Sequence, residues 1–296
     1  MEPERALWPK EILMLKNTFI RIPGIGPISE KHLWDLGLHD WNGFGEPFET
    51  NLSHKKLDFI EHYLQESREH LEAGNPNYFE NLLPSSQHWR MFSAFRDATA
   101  YLDIETTGLK MWGFEITTIS LYDGKSIHWY VKDRNLDDFI EDIQKYKVLV
   151  TYNGKSFDIP FIESHFGTNL PQAHIDLRYV LASLGYKGGL KGCERQLGID
   201  RGDLDNVDGY FAVLLWYDFL QNKNQKALET LLAYNIEDTV NLETLMVLAY
   251  NMKLKGTPFF QTHQLPEPTR PDIPFEADPQ TIDRIKRRIF RDPGFY

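Results

Sequence analysis

Ala100-Tyr-Leu-Asp-Ile-Glu-Thr-Thr-Gly-Leu109 sets two carboxylates two residues apart in a run that otherwise reads as a buried strand. Side chains alternate across a strand. Ala100, Leu102 and Ile104 therefore share one face, and Tyr101, Asp103 and Glu105 share the other. Like charges so close raise each other's energy unless something positive lies between them. A divalent cation meets that need, because Mg2+ takes oxygen ligands and few of them from protein. The other reading is an exposed edge strand with two solvated acids. The Thr-Thr-Gly turn and the apolar partners favour a central strand.

Two later stretches carry carboxylates in equally apolar company. Lys147-Val-Leu-Val-Thr-Tyr-Asn-Gly-Lys-Ser-Phe-Asp-Ile-Pro160 reads as a strand ending in an Asn-Gly turn, with Ser156 as candidate N-cap and Asp158 in the first helical turn. Asp158 alone could simply complement the helix dipole. In the helix read over about 224–252, Leu231, Tyr234, Asp238, Leu242, Leu245 and Ala249 fall on one stripe. A bare charge in the middle of an apolar stripe is expensive, and Tyr234 lies one turn before it on the same side. The pair needs a metal or a hydrogen-bond network; Glu237 lies off the stripe and reads as solvated.

Around these stretches the pattern gives strands at Thr99–Ile104, Glu115–Leu121 and Ser126–Val131, then a helix at Leu136–Tyr146 and a strand at Lys147–Tyr152. A short helix at Phe157–Phe166, a short strand at His174–Asp176, a helix from about Leu177 and long helices at about 206–221 and 224–252 complete it. The order β-β-β-α-β-α-β-α predicts an α/β fold, a mixed sheet with helices on its faces.

Together the three stretches resemble the tyrosine subfamily of DEDD 3′–5′ exonucleases, within the ribonuclease H-like superfamily. Asp103 and Glu105 match that family's Asp-x-Glu, Asn153 with Phe157 and Asp158 match its second motif, and Tyr234 and Asp238 match its Tyr-x-x-x-Asp. The resemblance covers about residues 98–252. From Leu190 through Leu197-Gly-Ile onward the chain looks most like a stand-alone exonuclease branch, and the exonuclease domain of family-B DNA polymerases looks similar too.

The resemblance implies hydrolysis of phosphodiester bonds at single-stranded DNA or RNA 3′ ends, with two divalent cations, Mg2+ or Mn2+, clamping the scissile phosphate. Asp103 would bridge both ions, Glu105 and Asp238 would complete one site, and Asp158 would hold the second ion. Tyr234 would orient the attacking water, its pKa near 10 making it a poor base at neutral pH. Thr106, Thr107, Asn153 and Lys155 would touch the strand. Two rivals use the same fold: a nucleic-acid-binding or scaffold module without catalysis, and a metal-dependent endonuclease.

The flanks are less specific. Residues 1–97 read as a small helical region with a helix at about Lys55–Leu71. Within it Ile22-Pro-Gly-Ile-Gly-Pro27 leads into a helix and resembles half a helix-hairpin-helix at about 17–40. In such a motif Gly24, Ile25 and Gly26 would bring backbone N–H groups to a DNA phosphate. Ile28, Leu33 and Leu36 would pack the hairpin, and Arg21 and Lys31 would make its surroundings mildly positive. A tight turn alone explains the glycines equally well. Residues 253–296 are Pro-rich and end in a basic helix, with Arg284, Lys286, Arg287, Arg288 and Arg291 against Asp283 and Asp292. That helix either binds phosphate or docks onto an acidic body. Asp176 reads as a strand-end cap or a support for the site.

Composition sets the outer bounds. The 296 residues, 42% hydrophobic and 25% charged, are those of an ordinary globular protein of about two domains' length. The formal charge of −11 argues against binding polyanions over the whole surface. Cys193 is the lone cysteine, which excludes an internal disulfide and a multi-cysteine zinc site, and it reads as a small buried residue. The longest apolar run, Tyr210–Tyr217, is far short of a membrane span, and the N-terminus lacks the pattern of a secretory signal. A cytoplasmic protein is the expectation.

Overall fold

The strands expected between residues 99 and 176 join into one five-stranded sheet in the computed structural model, which describes residues 13–44, 53–108, 115–204 and 207–291. The strands are β1 (Thr99–Thr106), β2 (Ile116–Tyr122), β3 (Ile127–Val131), β4 (Val148–Thr151) and β5 (Ala173–Asp176). They run in the order β3-β2-β1-β4-β5, so β1 is central. β1 pairs antiparallel with β2 and parallel with β4, which makes the sheet mixed. The register sets Asp103 opposite Ser120 and Glu105 opposite Thr118.

Alternation along β1 sorts its residues as the sequence predicts. Ala100, Leu102 and Ile104 join Ile119, Leu121 and Leu149 in one core layer. Tyr101 faces the other way, into a core with Tyr122, Val148, Val150 and Ile175.

Before the sheet lie α1 (Pro27–Asp35), α2 (His54–Glu72), α3 (Pro76–Leu82) and α4 (Phe92–Phe95). Between its strands fall α5 (Phe139–Ile143) and α6 (Asp158–Phe166), and α7 (Leu177–Ala182) follows β5 directly. After it come α8 (Gly189–Leu197), α9 (Gly209–Asn222), α10 (Gln225–Leu254), α11 (Phe260–His263) and α12 (Pro279–Arg291). Phe139, Ile143 and Ile162, from α5 and α6, cover one face of the sheet. On the other, α10 lies against β1 and β2. Among the described residues no helix is long and apolar enough to cross a membrane.

The stripe on α10 is buried from Leu231 to Ala249, but so is most of the helix's circumference. Glu237, expected to be solvated, is buried and accepts hydrogen bonds from Arg270 and Asn241. The reason is non-local: the irregular segment before α12 runs along that flank and carries Arg270 onto it. Two local expectations also shift. Ser156 does not cap α6, which starts at Asp158 after Phe157 with no side-chain cap. The helix expected at Leu136–Tyr146 is a 3-10 turn, Leu136–Asp138, followed by the shorter α5.

The elements before β1 share a core with α10. Trp89 and Phe92 pack edge-on against Tyr250. Glu30 is buried at the centre of this region and accepts from Phe19 N (2.6 Å), Ile20 N (3.1 Å) and Arg90 Nη2 (2.8 Å). Glu30→Ala would strand the buried Arg90 guanidinium, so urea unfolding should show a loss of about 3–5 kcal/mol. The hairpin packing differs from expectation: Leu33 is buried, but Ile28 is 88% and Leu36 47% exposed. Arg21 is buried too, with its guanidinium over the Trp41 ring and Nε donating to Ser67, so it adds no surface charge. At the other end Ile282 and Ile285 of α12 are buried, and Arg284 pairs with Asp218 of α9. The last part of the expected basic stretch, 292–296, lies outside the described residues.

Candidate functional site

β1 and α10 bring Asp103, Glu105 and Asp238 together: one carboxylate oxygen from each lies within 4.8 Å of the others. Strand alternation supplies the first two and helical spacing the third. Asn235, one turn before Asp238, donates to Asp103 Oδ2 at 2.7 Å and accepts from Thr118 Oγ1 at 3.1 Å. This amide ties the helix to both central strands at the level of the acids.

Asp158 joins from a third direction. The turn after β4 is held by Asp176, whose carboxylate accepts from the backbone N–H groups of Asn153 (2.7 Å), Lys155 (3.2 Å) and Arg178 (3.0 Å). Gly154 N donates to Thr151 Oγ1, which also bonds His174 Nε2. The turn delivers Asp158 to the first position of α6, where its Oδ1 accepts from Ile104 N at 3.3 Å. Asp158 is thus fastened to the strand residue between Asp103 and Glu105.

Burial and mutual repulsion raise these carboxyls. Burial first, then the charges of Asp238, Asp158 and Glu105, push Asp103 well above the usual carboxylate range. Burial and the Asp238 charge do the same to Glu105. Burial pushes Asp158 up to about 7, against the backbone N–H groups that favour its charged form. A cluster of acids that resists ionising together is chemically suited to a cation, which would relieve both causes. Tyr234 is buried beside them, and burial together with Asp238, Glu105 and Asp103 lifts its hydroxyl far above the ordinary range. It stays protonated at any physiological pH.

Three positions not singled out from sequence also belong here. Lys191 of α8 sits with Nζ 4.4 Å from the centroid of the Tyr234 ring, and Arg201 with Cζ 5.5 Å from it. Arg201 donates to Asp238 and to Glu194. Helical spacing relates Lys191 to Glu194 across one turn and Asn235 to Asp238 across another, a signal present in the sequence once α8 is known to be a helix.

The expected substrate contacts fall as follows. Thr106 ends β1 and Thr107 follows it; Thr107 N donates to Glu115 O and Gly108 N to Thr106 Oγ1. Asn153 has a left-handed backbone, φ 66°, and its Oδ1 accepts from Arg178. Lys155 is not free in solvent: its Nζ pairs with Glu80 at 2.6 Å. Gly24, Ile25 and Gly26 form the turn before α1. Ile25 is buried with its N–H spent on Ile22 O, and Gly26 stands at the helix N-cap. Cys193 is buried and contacts Tyr152 Oη at 3.7 Å.

No curated protein sequence matches the chain. Among solved structures it is similar to the family B DNA polymerase from the hyperthermophilic archaeon Pyrobaculum calidifontis, at 15% identity and a TM-score of 0.41. That likeness covers 57% of this chain and 27% of the polymerase, so the chain spans about a quarter of the polymerase's length. The RNase_H_2 family model matches residues 100–250, from within β1 to within α10, a stretch that holds all four acids and the tyrosine. By that match, over half its length, the chain belongs to the RNase H superfamily.

Proposed function

We propose that this protein is a metal-dependent 3′–5′ exonuclease acting on single-stranded DNA or RNA ends. One observation carries the reading: three buried or nearly buried carboxylates, Asp103, Glu105 and Asp238, offer oxygens within 4.8 Å of one another, with Asp158 fastened alongside. Four hard oxygen donors with no histidine or cysteine suit Mg2+ or Mn2+. Asp103, Glu105 and Asp238 would hold one cation, and Asp103 with Asp158 the other. Bound there, the cations would supply the Lewis acidity that polarises the phosphodiester and offsets charge on the leaving 3′ oxygen. Tyr234, which keeps its proton, orients the attacking water by a hydrogen bond rather than by removing a proton. Thr106 and Thr107 at the end of β1, and Asn153 and Lys155 in the turn before α6, are assigned to the strand. Lys155 would exchange Glu80 for a phosphate.

The test uses 5′-labelled single-stranded DNA and RNA of matched sequence, with Mg2+, Mn2+ or EDTA, and compares the protein with Asp238→Asn. The expected result is a metal-dependent ladder that shortens from the 3′ end and is missing with the variant. Cleavage of circular strands would replace this reading with an endonuclease. Binding without any cleavage would replace it with a non-catalytic module.

A further inference from the structure

Arg201 is a guanidinium inside a cluster of acids, and its side chain is 1% exposed. Nη1 donates to both oxygens of Glu194, at 2.9 and 2.8 Å, and Nη2 donates to Asp238 Oδ1. Glu194 is itself fully buried and also accepts from Asn241 Nδ2 at 2.9 Å, three residues beyond Asp238 on α10. Asp238 Oδ2 takes no hydrogen bond among the described residues.

Two roles would put a guanidinium here. It could lower the net charge of the cluster, or it could orient one of the acids. Charge balance separates them. Glu194 brings a negative charge of its own, so the Arg201–Glu194 pair adds nothing net to the cluster. What the pair does add is direction. Glu194 grips Nη1 with both of its oxygens, which fixes the plane of the guanidinium and so the line along which Nη2 donates. That line ends on one oxygen of Asp238.

We propose that Arg201 is a positioning residue: braced by Glu194, it locks the Asp238 carboxylate in one orientation beside Asp103 and Glu105 and leaves the second oxygen for the site. The proposal rests on the reading of that site as a metal-dependent nuclease centre. Groups that orient a metal ligand without touching the metal are worth about 10–100-fold in affinity or activity.

The experiment compares the full chain with Arg201→Lys, Arg201→Ala and Glu194→Gln. Each is checked for folding by circular dichroism and melting, then titrated with Mn2+ by calorimetry and assayed on a 5′-labelled single strand. Lysine keeps the charge but not the fork. The expected result is that Arg201→Lys and Glu194→Gln both lower kcat and weaken Mn2+ binding by about 10-fold or more, with KM for the strand unchanged. Full kcat and Mn2+ affinity in Arg201→Lys would overturn the proposal, because charge alone would then suffice. So would a raised KM with kcat intact, which would put the guanidinium on the strand. If Arg201→Ala does not fold, the lysine variant decides. A parent that cleaves neither strand would instead overturn the nuclease reading, and the Mn2+ titrations would still decide the role of Arg201.

Discussion

Asp103→Asn should abolish strand hydrolysis and, in EDTA at neutral pH, make the protein more stable. Asp103 lies beside the other acids on the central strand and is the group assigned to both cations, so its loss removes several kcal/mol of charge stabilisation and about 10³-fold or more in rate. The gain in stability has the opposite origin. Burial and three neighbouring acids hold Asp103 in a state where ionising costs more than it does in the unfolded chain. Asparagine keeps the shape without that cost, and Asn235 can still meet it through its amide.

The pH dependence follows from the same groups. Asp103, Glu105 and Asp158 all have folded pKa values above their unfolded ones, Asp158 at about 7. Between about pH 4 and pH 7 the folded protein therefore binds more protons than the unfolded chain, and its stability falls as pH rises through that window. Calorimetry in EDTA should show the parent melting lower at pH 8 than at pH 5, with a smaller drop in Asp103→Asn. Adding Mg2+ or Mn2+ should raise the parent's Tm more at pH 8 than at pH 5, because fewer protons then compete with the cation for the carboxylates. The idea fails if Asp103→Asn melts below the parent in EDTA at pH 8.

Among the described glycines, Gly154→Ala should be the most damaging added methyl. A Cβ there would lie 2.2 Å from Thr151 Oγ1, 2.6 Å from its Cβ and 2.8 Å from its Cγ2. Thr151 cannot turn aside cheaply, because its hydroxyl bonds both Gly154 N and His174 Nε2. The turn must therefore open, and it is the turn that delivers Asp158. A loss of about 3 kcal/mol or more is expected from urea unfolding, with nuclease activity falling further than the folded fraction does. Gly26→Ala is the matched control: nothing lies within 4 Å of its Cβ and its φ is −93°. It should stay within about 0.5 kcal/mol of the parent. A Gly154→Ala protein as stable as that control would show that the close approach to Thr151 is not a constraint.

The legible part of this protein was the part written in short-range periodicity. Alternation along Ala100–Glu105 is enough to put two acids on one face of a central strand, and steps of three and four from Leu231 to Ala249 are enough to aim Tyr234 and Asp238 the same way. The resemblance then supplied their order. What escaped was decided by distant chain. Glu237 is polar and off the stripe, and only the arrival of Arg270 from beyond residue 264 buries it. Arg21 looked like a surface charge until Trp41 and Ser67 closed over it. Ser156 was a reasonable cap by residue type, but Asp176, from the neighbouring strand, fastens that turn instead. Arg201 sits in a loop after α8 with no periodicity to mark it, and its meaning comes from Glu194 and Asp238 at once.

The all-round burial of α10 has a consequence for how such a centre can be inherited. Its last turns, Met246 to Leu254, are roofed by Trp89 and Phe92 from ahead of the sheet, and its Glu237 flank by the segment that follows it. The helix that carries Asp238 is therefore held on both sides by segments from before the sheet and after the helix. Recombination could not lift out the bare stretch between the first strand and the last turn of that helix and set it running elsewhere without exposing the helix's apolar surface.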